Sequence, residues 1–537
     1  MLIAAFVFTA CQPAPAEEMP KEEEAMAEEA EVEAEAEAET EAEAEEEEEA
    51  AAGGGTLNLG VAAEASSLLW IKANHPVEAV QGMPFYEALL RINENGEPEP
   101  YLCETFTPDA DALTYTVELK EGITFQDGTP LNAEAAVWSL QMYKDNGRKT
   151  TALMPNIESF EVTGEYTFVI HMSKWDSTVP YSLAREAGYM FSKDAWEQNG
   201  EEYCAQHPVG TGPFMLTDWK MDVSKTYEKY TDYWQGEPLL DEIVVTIYAD
   251  SLVAQAALES GEMDVFFSVD YGLVNTLESK GFKVSTGVVM ANIPLLCYNS
   301  VNPDDVLHDV KVRQALSHAI DQQGINEAIY YGYNLPTNQF AGTTSVYYSD
   351  DVVGYDYDPA LAKELLAAAG YPDGFETTLE IKNEPTLVAI ATAIQAQLAE
   401  VDVDVEIIVV DAADYGVALT GWDSGMLMHP SSLPTDIVQQ AASMWIQGLS
   451  GICLGLTSIV RPDNVHEYIT EAVSAKTEAE KQELMQKAQV AMIDEWAMFW
   501  PLGVGYNTFV KGSRVHDDGI NDIIYYQGTL WKAWVEE

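Results

Sequence analysis

Short runs in which apolar and polar residues alternate recur along this chain, separated by stretches where apolar residues return every three or four positions. Leu57, Leu59 and Val61 alternate in GTLNLGVAAE, which predicts a strand at the head of the folded body. LTYTVELKEGITFQDGTPLNAEAAVWSLQMYKD predicts a strand, a turn rich in Asp and Gly, and then a helix. Asn132 would cap that helix, and Val137, Leu140 and Tyr143 would form its buried stripe. EYTFVIHMS predicts a further strand.

Later segments read the same way. DDVLHDVKVRQALSHAIDQQGI predicts one helix that buries Val312, Ala315, Leu316, Ala319 and Ile320 and turns Lys311, Arg313, Gln314 and Asp321 outward. In YDPALAKELLAAAGYPDG, Asp358 caps a helix, Pro359 opens it and Gly370 closes it. TLVAIATAIQAQLAEVDVDVEIIVV runs from helix into strand, and EAEKQELMQKAQVAMIDEW is a late amphipathic helix ahead of the aromatic, strand-like AMFWPLGVGYNTFV. Helices and strands alternate without a short repeat, so the pattern predicts an α/β protein of at least two lobes.

HPVGTGPFMLTDW needs separate treatment, because Gly210-Thr211-Gly212 invites comparison with a phosphate-binding loop. Such a loop needs free backbone N–H groups converging ahead of a helix. Pro213 removes one of those groups, and the alternating FMLTDW that follows predicts a strand. The glycines are expected to be turn residues that steer the chain into a sheet.

The chain has 537 residues, of which 47% are hydrophobic, enough for two or three domains with sizeable cores. Its net charge of −64 argues against nucleic acid and anionic lipid as partners, because both repel such a field. Residues 17–50 carry 19 Glu and one Lys, yet most of the negative charge lies beyond them, so the folded body has its own hydrated acidic surface. Cys11, Cys103, Cys204, Cys297 and Cys453 show no CxxC spacing, which disfavours a zinc site or redox pair. The last four could form bridges outside the cytoplasm or lie buried as small hydrophobes, and buried thiols are the favoured reading. No cofactor motif is present.

The apolar run MLIAAFVFTAC is too short to span a bilayer but suits an export signal. Its ending resembles a bacterial lipobox, which makes Cys11 the expected lipidation site and residues 1–11 the signal segment. Residues 12–55 are Glu/Ala/Pro-rich and are expected to be a disordered acidic linker.

HPVGTGPFMLTDW, YWQGEPLLDEIVVTIYAD and ALESGEMDV together resemble the extracellular solute-binding proteins of family 5, the peptide, nickel and dipeptide receptors of ABC importers. FYEALLRINENGEPEPYLCETFTPDADALTYTVELKEG, DVKVRQALSHAID and DPALAKELLAAAGYPDGF extend the resemblance over nearly all of residues 56–537. It implies a periplasmic-binding-protein-like, Venus-flytrap fold: lobe I from 56–84, 208–290 and 496–537, an extra domain of lobe I at 85–207, and lobe II at 291–495. It implies a monomer that binds a peptide, oligosaccharide or metal chelate between the lobes and hands it to permease and ATPase subunits. Its place would be the outer face of the cytoplasmic membrane, periplasmic or extracellular, held by the lipid.

Within LTGWDSGMLMHPSSLPTD, Trp422 corresponds to a Trp that the family carries at its site. Peptide-binding members place an Asp three residues later; here Gly425 stands there and Asp423 is the nearest carboxylate. Trp422 offers a stacking face, and the competing reading is a packed core residue. His429 is a candidate contact for a metal chelate, without a second histidine at ligand spacing. Tyr298 and Asn299, in LLCYNSVNPDD, lie where the family crosses into lobe II, with hinge packing as the alternative. Trp445, Glu64 and Trp70 are further candidates for the cleft wall, with packing or a surface position as the favoured alternative for each. Hydrolase chemistry is disfavoured because no nucleophile, base or metal constellation emerges. A receptor reporting to a membrane sensor is the second alternative.

Overall fold

The computed structural model describes residues 54–536 apart from 66, 73–79, 94–95, 149–152, 269, 287–290, 424, 434–435, 447–455, 506–507 and 517–529. Cys11, the signal segment, almost all of the acidic linker and Cys453 lie outside the described residues.

β1 (Thr56–Val61) opens the body with Leu57, Leu59 and Val61 buried, as their alternation predicts. A hairpin of β2 (Leu90–Ile92) and β3 (Pro98–Pro100) precedes β4 (Cys103–Asp109), β5 (Thr114–Leu119), β6 (Ile157–Val162) and β7 (Thr167–Met172). The last four make an antiparallel sheet in the order β4-β5-β7-β6. Helix α1 (Ala133–Asn146) lies between β5 and β6, and its first turn is closed by the Asn132 side chain accepting from the Ala135 N–H at 3.0 Å. The buried face of α1 is Ala133, Ala136, Leu140 and Tyr143, whereas Val137, expected in that stripe, is only half-buried. The buried face centres near Ala136 and Tyr143, and Val137, one residue past Ala136, lies about 100° round the helix at its edge. A short helix, α2 (Val179–Leu183), follows β7.

The 207–219 stretch re-enters lobe I at β8 (Phe214–Lys220). Neither Gly210 nor Gly212 has a positive φ, so the expected glycine-dependent turn is not what selects them. Close approach does: a Cβ on Gly210 would stand 1.9 Å from the Phe85 carbonyl oxygen, and one on Gly212 2.7 Å from the Phe85 carbonyl carbon. The two segments are joined by Gly212 N–H donating to Phe85 O at 3.0 Å and Phe214 N–H to Pro84 O at 2.9 Å.

β9 (Ser224–Lys229), β10 (Glu242–Ile247), β11 (Val265–Ser268) and β12 (Lys283–Thr286) complete this part of the chain. Beyond it come β13 (Ala291–Tyr298), α3 (Val310–His318), α4 (Gln322–Tyr330), β14 (Asn334–Leu335) and α5 (Pro359–Ala368). The single helix expected around 304–325 is therefore broken. Asp309 caps α3 and Asp321 caps α4, each accepting backbone N–H groups, so the chain restarts a helix at both aspartates. Val312, Ala315, Leu316, Ala319 and Ile320 are buried as expected, but Arg313 is buried too. Its guanidinium donates to the carbonyls of Leu307, His308, Trp496 and Ala497, and burial lowers its pKa to about 10. Backbone acceptors from two segments make an interior place for a charge that periodicity assigns to solvent.

β15 (Phe375–Lys382), α6 (Pro385–Ala399) and β16 (Val403–Val410) form a βαβ unit whose strands pair in parallel from Phe375↔Val403 to Lys382↔Val410. After them come α7 (Ala412–Ala418), β17 (Met426–Leu433), α8 (Ile437–Trp445), α9 (Asp463–Val473) and α10 (Glu478–Val490). β18 (Phe499–Pro501), β19 (Val504–Gly505), β20 (Thr508–Lys511) and the pair β21 (Val515–His516) and β22 (Trp534–Val535) end the fold.

Two large sheets result. The first runs β12-β20-β11-β1-β10-β9-β8; the second runs β14-β19-β13-β17-β15-β16, with β18 also on β13. Each supports its own buried core, and the first core is continuous with that of the extra domain. The expected return to lobe I at 496 comes later. β18 and β19 pair with β13, where the buried Phe499, Trp500 and Leu502 complete the second core, and only β20 rejoins the first sheet. Cys103, Cys204 and Cys297 are free and buried, as expected for thiols behaving as small hydrophobes.

Candidate functional site

The chain passes between the two sheets after β12 and again before β20. The residues flanking the two passages are neighbours: Thr286 pairs with Thr508 on the first sheet, and Asn292 with Gly505 on the second. Register then fixes which strand ends face them. β20 starts at the crossing and runs antiparallel to β11, so Ser268, the carboxyl end of β11, lies there opposite Thr508. β13 likewise starts at the crossing, antiparallel to β17, and Ala291 pairs with Leu433 at the carboxyl end of β17. Both sheets thus turn the carboxyl ends of their parallel strands toward the boundary between the lobes, where open α/β sheets hold ligands.

From Asn292 to Tyr298 is six residues, about 20 Å at the rise of a strand. Tyr298 pairs with Met426, so Tyr298, Asn299, Trp422 and Asp423 sit at the end of lobe II away from this boundary. There they form a structural corner. Tyr298 is fully buried and its hydroxyl bonds Ser317 Oγ at 2.9 Å. Asn299 Nδ2 donates to Trp422 O at 3.0 Å, and the buried Trp422 donates from Nε1 to Gly425 O at 3.2 Å. The indole offers no free face for stacking. Asp423 is exposed. Gly425 has φ +76°, and a Cβ on it would stand 2.2 Å from Thr378 Oγ1, so an aspartate at that position would not fit. A groove of about 650 Å³ opens beside this corner, lined by Asp304, Asp305, Glu376, Asp404 and Glu406 among others, at the amino ends of β15 and β16.

Two more aromatic candidates are core residues. Trp70 is wholly buried and stacks on Phe191 with centroids 4.5 Å apart. Trp445 lies parallel to Phe499 at 5.1 Å and edge-on to Phe340 at 4.8 Å. Packing was the favoured alternative for both, although spacing alone does not separate packed from ligand-facing tryptophans.

Of the remaining two candidates, Glu64 stands at a carboxyl end, whereas His429 lies midway along β17. Glu64 lies just beyond β1, paired with the buried Lys225 ammonium and accepting the Asp222 N–H at 2.9 Å. Lys225 also donates to Gln81 Oε1 at 2.7 Å and lies over the Trp219 ring, so Glu64 braces the β8–β9 hairpin. His429 pairs with Leu295 and is nearly enclosed. Its Nδ1 meets the Tyr415 hydroxyl at 3.0 Å, and burial pushes its pKa down to about 4, leaving the ring neutral near pH 7. Among the described residues no group of three His, Cys, Asp or Glu side chains is placed to hold a metal ion.

Sequence reading missed the groups that the extra domain and lobe II bring together. Ser182, Arg185 and Glu186 follow one another at and after α2, with Arg185 and Glu186 paired at 3.3 Å. Asp436 caps α8 directly after β17, and Gln439 in the first turn of α8 donates to Ser182 Oγ at 2.7 Å. The Asp-Ile-Val-Gln pattern of a helix start was the available signal, but nothing in it names a partner some 250 residues earlier.

The sequence pattern described as "Bacterial extracellular solute-binding proteins, family 5 Middle" matches residues 97–442. The glutathione-binding protein GsiB of Escherichia coli O1:K1 / APEC is 31% identical over 434 residues, covering 78% of this chain and 83% of its own. Two solved structures share the fold. DppA from Helicobacter pylori in complex with peptide STSA has TM-score 0.73 and 24% identity, over 90% of this chain and 99% of that one. NikA from Brucella suis in complex with Fe(III)-EDTA has TM-score 0.79 and 20% identity, over 90% and 100%. With two lobes joined by paired crossings, their strand ends facing one boundary, and a family pattern over most of its length, the chain belongs to the bacterial extracellular solute-binding proteins of family 5.

Proposed function

We propose that this protein captures a short peptide between its lobes and delivers it to the permease of an ABC importer. The observation that carries the reading is the convergence of carboxyl strand ends from both sheets on one boundary beside two adjacent crossings. A hinge there lets groups from both lobes meet a solute at once, so closure supplies the affinity without chemistry. Glutathione is the first solute to test, because GsiB, named for binding it, is similar over most of both chains. Where the extra domain meets lobe II, the Arg185–Glu186 pair and the Gln439–Ser182 hydrogen bond are built from the kinds of group that could exchange partners with the ends of a zwitterionic peptide.

The anchoring assignment belongs to the same proposal: Cys11 carries the lipid, and the acidic linker holds the receptor near the permease at raised effective concentration. Isothermal titration of the purified 54–537 region with glutathione, di- and tripeptides, oligosaccharides and a nickel chelate tests the ligand class. Micromolar binding of a peptide with no turnover is the expected result. Binding confined to sugars or chelates, or cleavage of the bound peptide, refutes it.

A further inference from the structure

The loop between β7 and α2 is held in shape by its own domain. Trp175 stacks on Tyr115 with centroids 4.8 Å apart, and the Tyr115 hydroxyl donates to Asp176 O at 2.9 Å. The buried Asp176 carboxylate accepts from Thr178 N–H at 3.0 Å, Thr178 Oγ1 at 2.7 Å and Asn156 Nδ2 at 2.7 Å. None of these partners is in lobe II.

The outward side of Trp175 and Ser177 in the same loop bonds lobe II. Carbonyls at the end of a helix are the ones most open to outside donors, and at and just beyond the end of α9 this loop donates to three of them. Ser177 N–H donates to Val473 O at 2.8 Å, Ser177 Oγ to Ala472 O at 2.9 Å, and Trp175 Nε1 to Ala475 O at 2.8 Å. One turn further, Lys481 of α10 is wholly buried. It pairs with Asp436 at 3.0 Å inside lobe II, donates to Ser177 O at 3.3 Å, and lies 4.3 Å from the Tyr181 ring centroid.

We propose that residues 175–183 are a preformed clasp that grips the α9 end and Lys481 directly, so that the closed cleft is populated before any solute arrives. A loop already ordered by its own domain loses little freedom on docking, which makes a few hydrogen bonds sufficient to bias the lobes. The apparent affinity for a solute is then set partly by this contact, through the fraction of receptor already closed. The inference deepens the capture reading and rests on it, but its test needs no solute.

The test measures distances by pulsed electron resonance between nitroxides on Asp145→Cys in α1 and Ala396→Cys in α6, both exposed positions, with Cys11 and Cys453 replaced by Ser. The parent should show a closed population without solute. Trp175→Phe with Ser177→Ala keeps the stacking on Tyr115 but removes two of the three donors, and should lower the closed-to-open ratio roughly thirtyfold. Unchanged distributions, or a parent that is wholly open, overturn the proposal. Should that variant not fold, Ser177→Ala alone decides: it removes one donor to the end of α9 and should lower the closed-to-open ratio roughly fivefold, and an unchanged ratio overturns the clasp. Since no solute enters either readout, a negative result leaves peptide capture standing, and absence of peptide binding would leave these distances as they are.

Discussion

Replacing Glu87 by Gln removes a charge from the joint between the extra domain and lobe I at almost constant volume. Glu87 is buried, and its Oε1 accepts from Tyr101 at 2.9 Å and Tyr233 at 2.6 Å. Its Oε2 accepts from Thr211 Oγ1 at 2.8 Å and Trp234 Nε1 at 3.0 Å. A glutamine oxygen can keep the two tyrosines, and the Thr211 hydroxyl can turn to accept from the new amide. The Trp234 N–H only donates, so it faces an N–H₂ and loses its partner. One stranded donor costs about 2 kcal/mol, while Glu87→Leu strands all four and should cost several times as much, up to about 8 kcal/mol. Burial, the largest influence, pushes the Glu87 carboxyl above its ordinary pKa against the pull of these donors. A carboxyl raised in the folded state binds its proton before the unfolded chain does, so the wild type gains stability as pH falls from above that pKa to about 4.5. The Gln variant gains none of this. Urea unfolding of both proteins at pH 7.5 and 4.5, followed by circular dichroism, should show the gap between them widening in acid. A gap that narrows would mean that the hydrogen bonds outweigh burial, and the reasoning would be wrong.

Other perturbations separate packing from binding. Gly210→Ala forces a Cβ against the Phe85 carbonyl oxygen and should cost about 3 kcal/mol by chemical denaturation; a neutral result would show that the joint yields easily. Trp422→Ala should lower stability by about 3 kcal/mol and leave the affinity of the folded fraction unchanged, as checked by titration with whichever peptide binds. His429 has its pKa lowered to about 4 by burial, so the unfolded state binds the proton first and stability is lost as pH falls from about 6.5 to 4. His429→Gln should flatten that part of the stability profile, and an equally steep loss in the variant would place the acid sensitivity elsewhere.

Local chemistry was legible along the chain. Alternation at Leu57, Leu59 and Val61, the Asn132 and Asp358 caps, and the Pro359 opening each act over one turn or one strand, so a single sequence contains their causes. Ordered blocks of residues also carried the family resemblance, and with it the two-lobed fold. The sequence did not contain what depends on register and distant partners. Trp422 and Trp445 resemble site residues until the β13–β17 pairing puts one about 20 Å from the boundary and the Phe499 ring covers the other. Arg313 looks exposed until four carbonyls from two separate segments surround it. Gly210 and Gly212 look like turn residues until Phe85 arrives beside them. The joint at Glu87 and the contact of Ser177 with the end of α9 each join groups more than a hundred residues apart. Side-chain type and spacing settle what a segment becomes by itself. Which face meets which, and therefore where a solute can be held, is decided by long-range packing, because the same buried tryptophan or charge satisfies the local pattern equally well in either place.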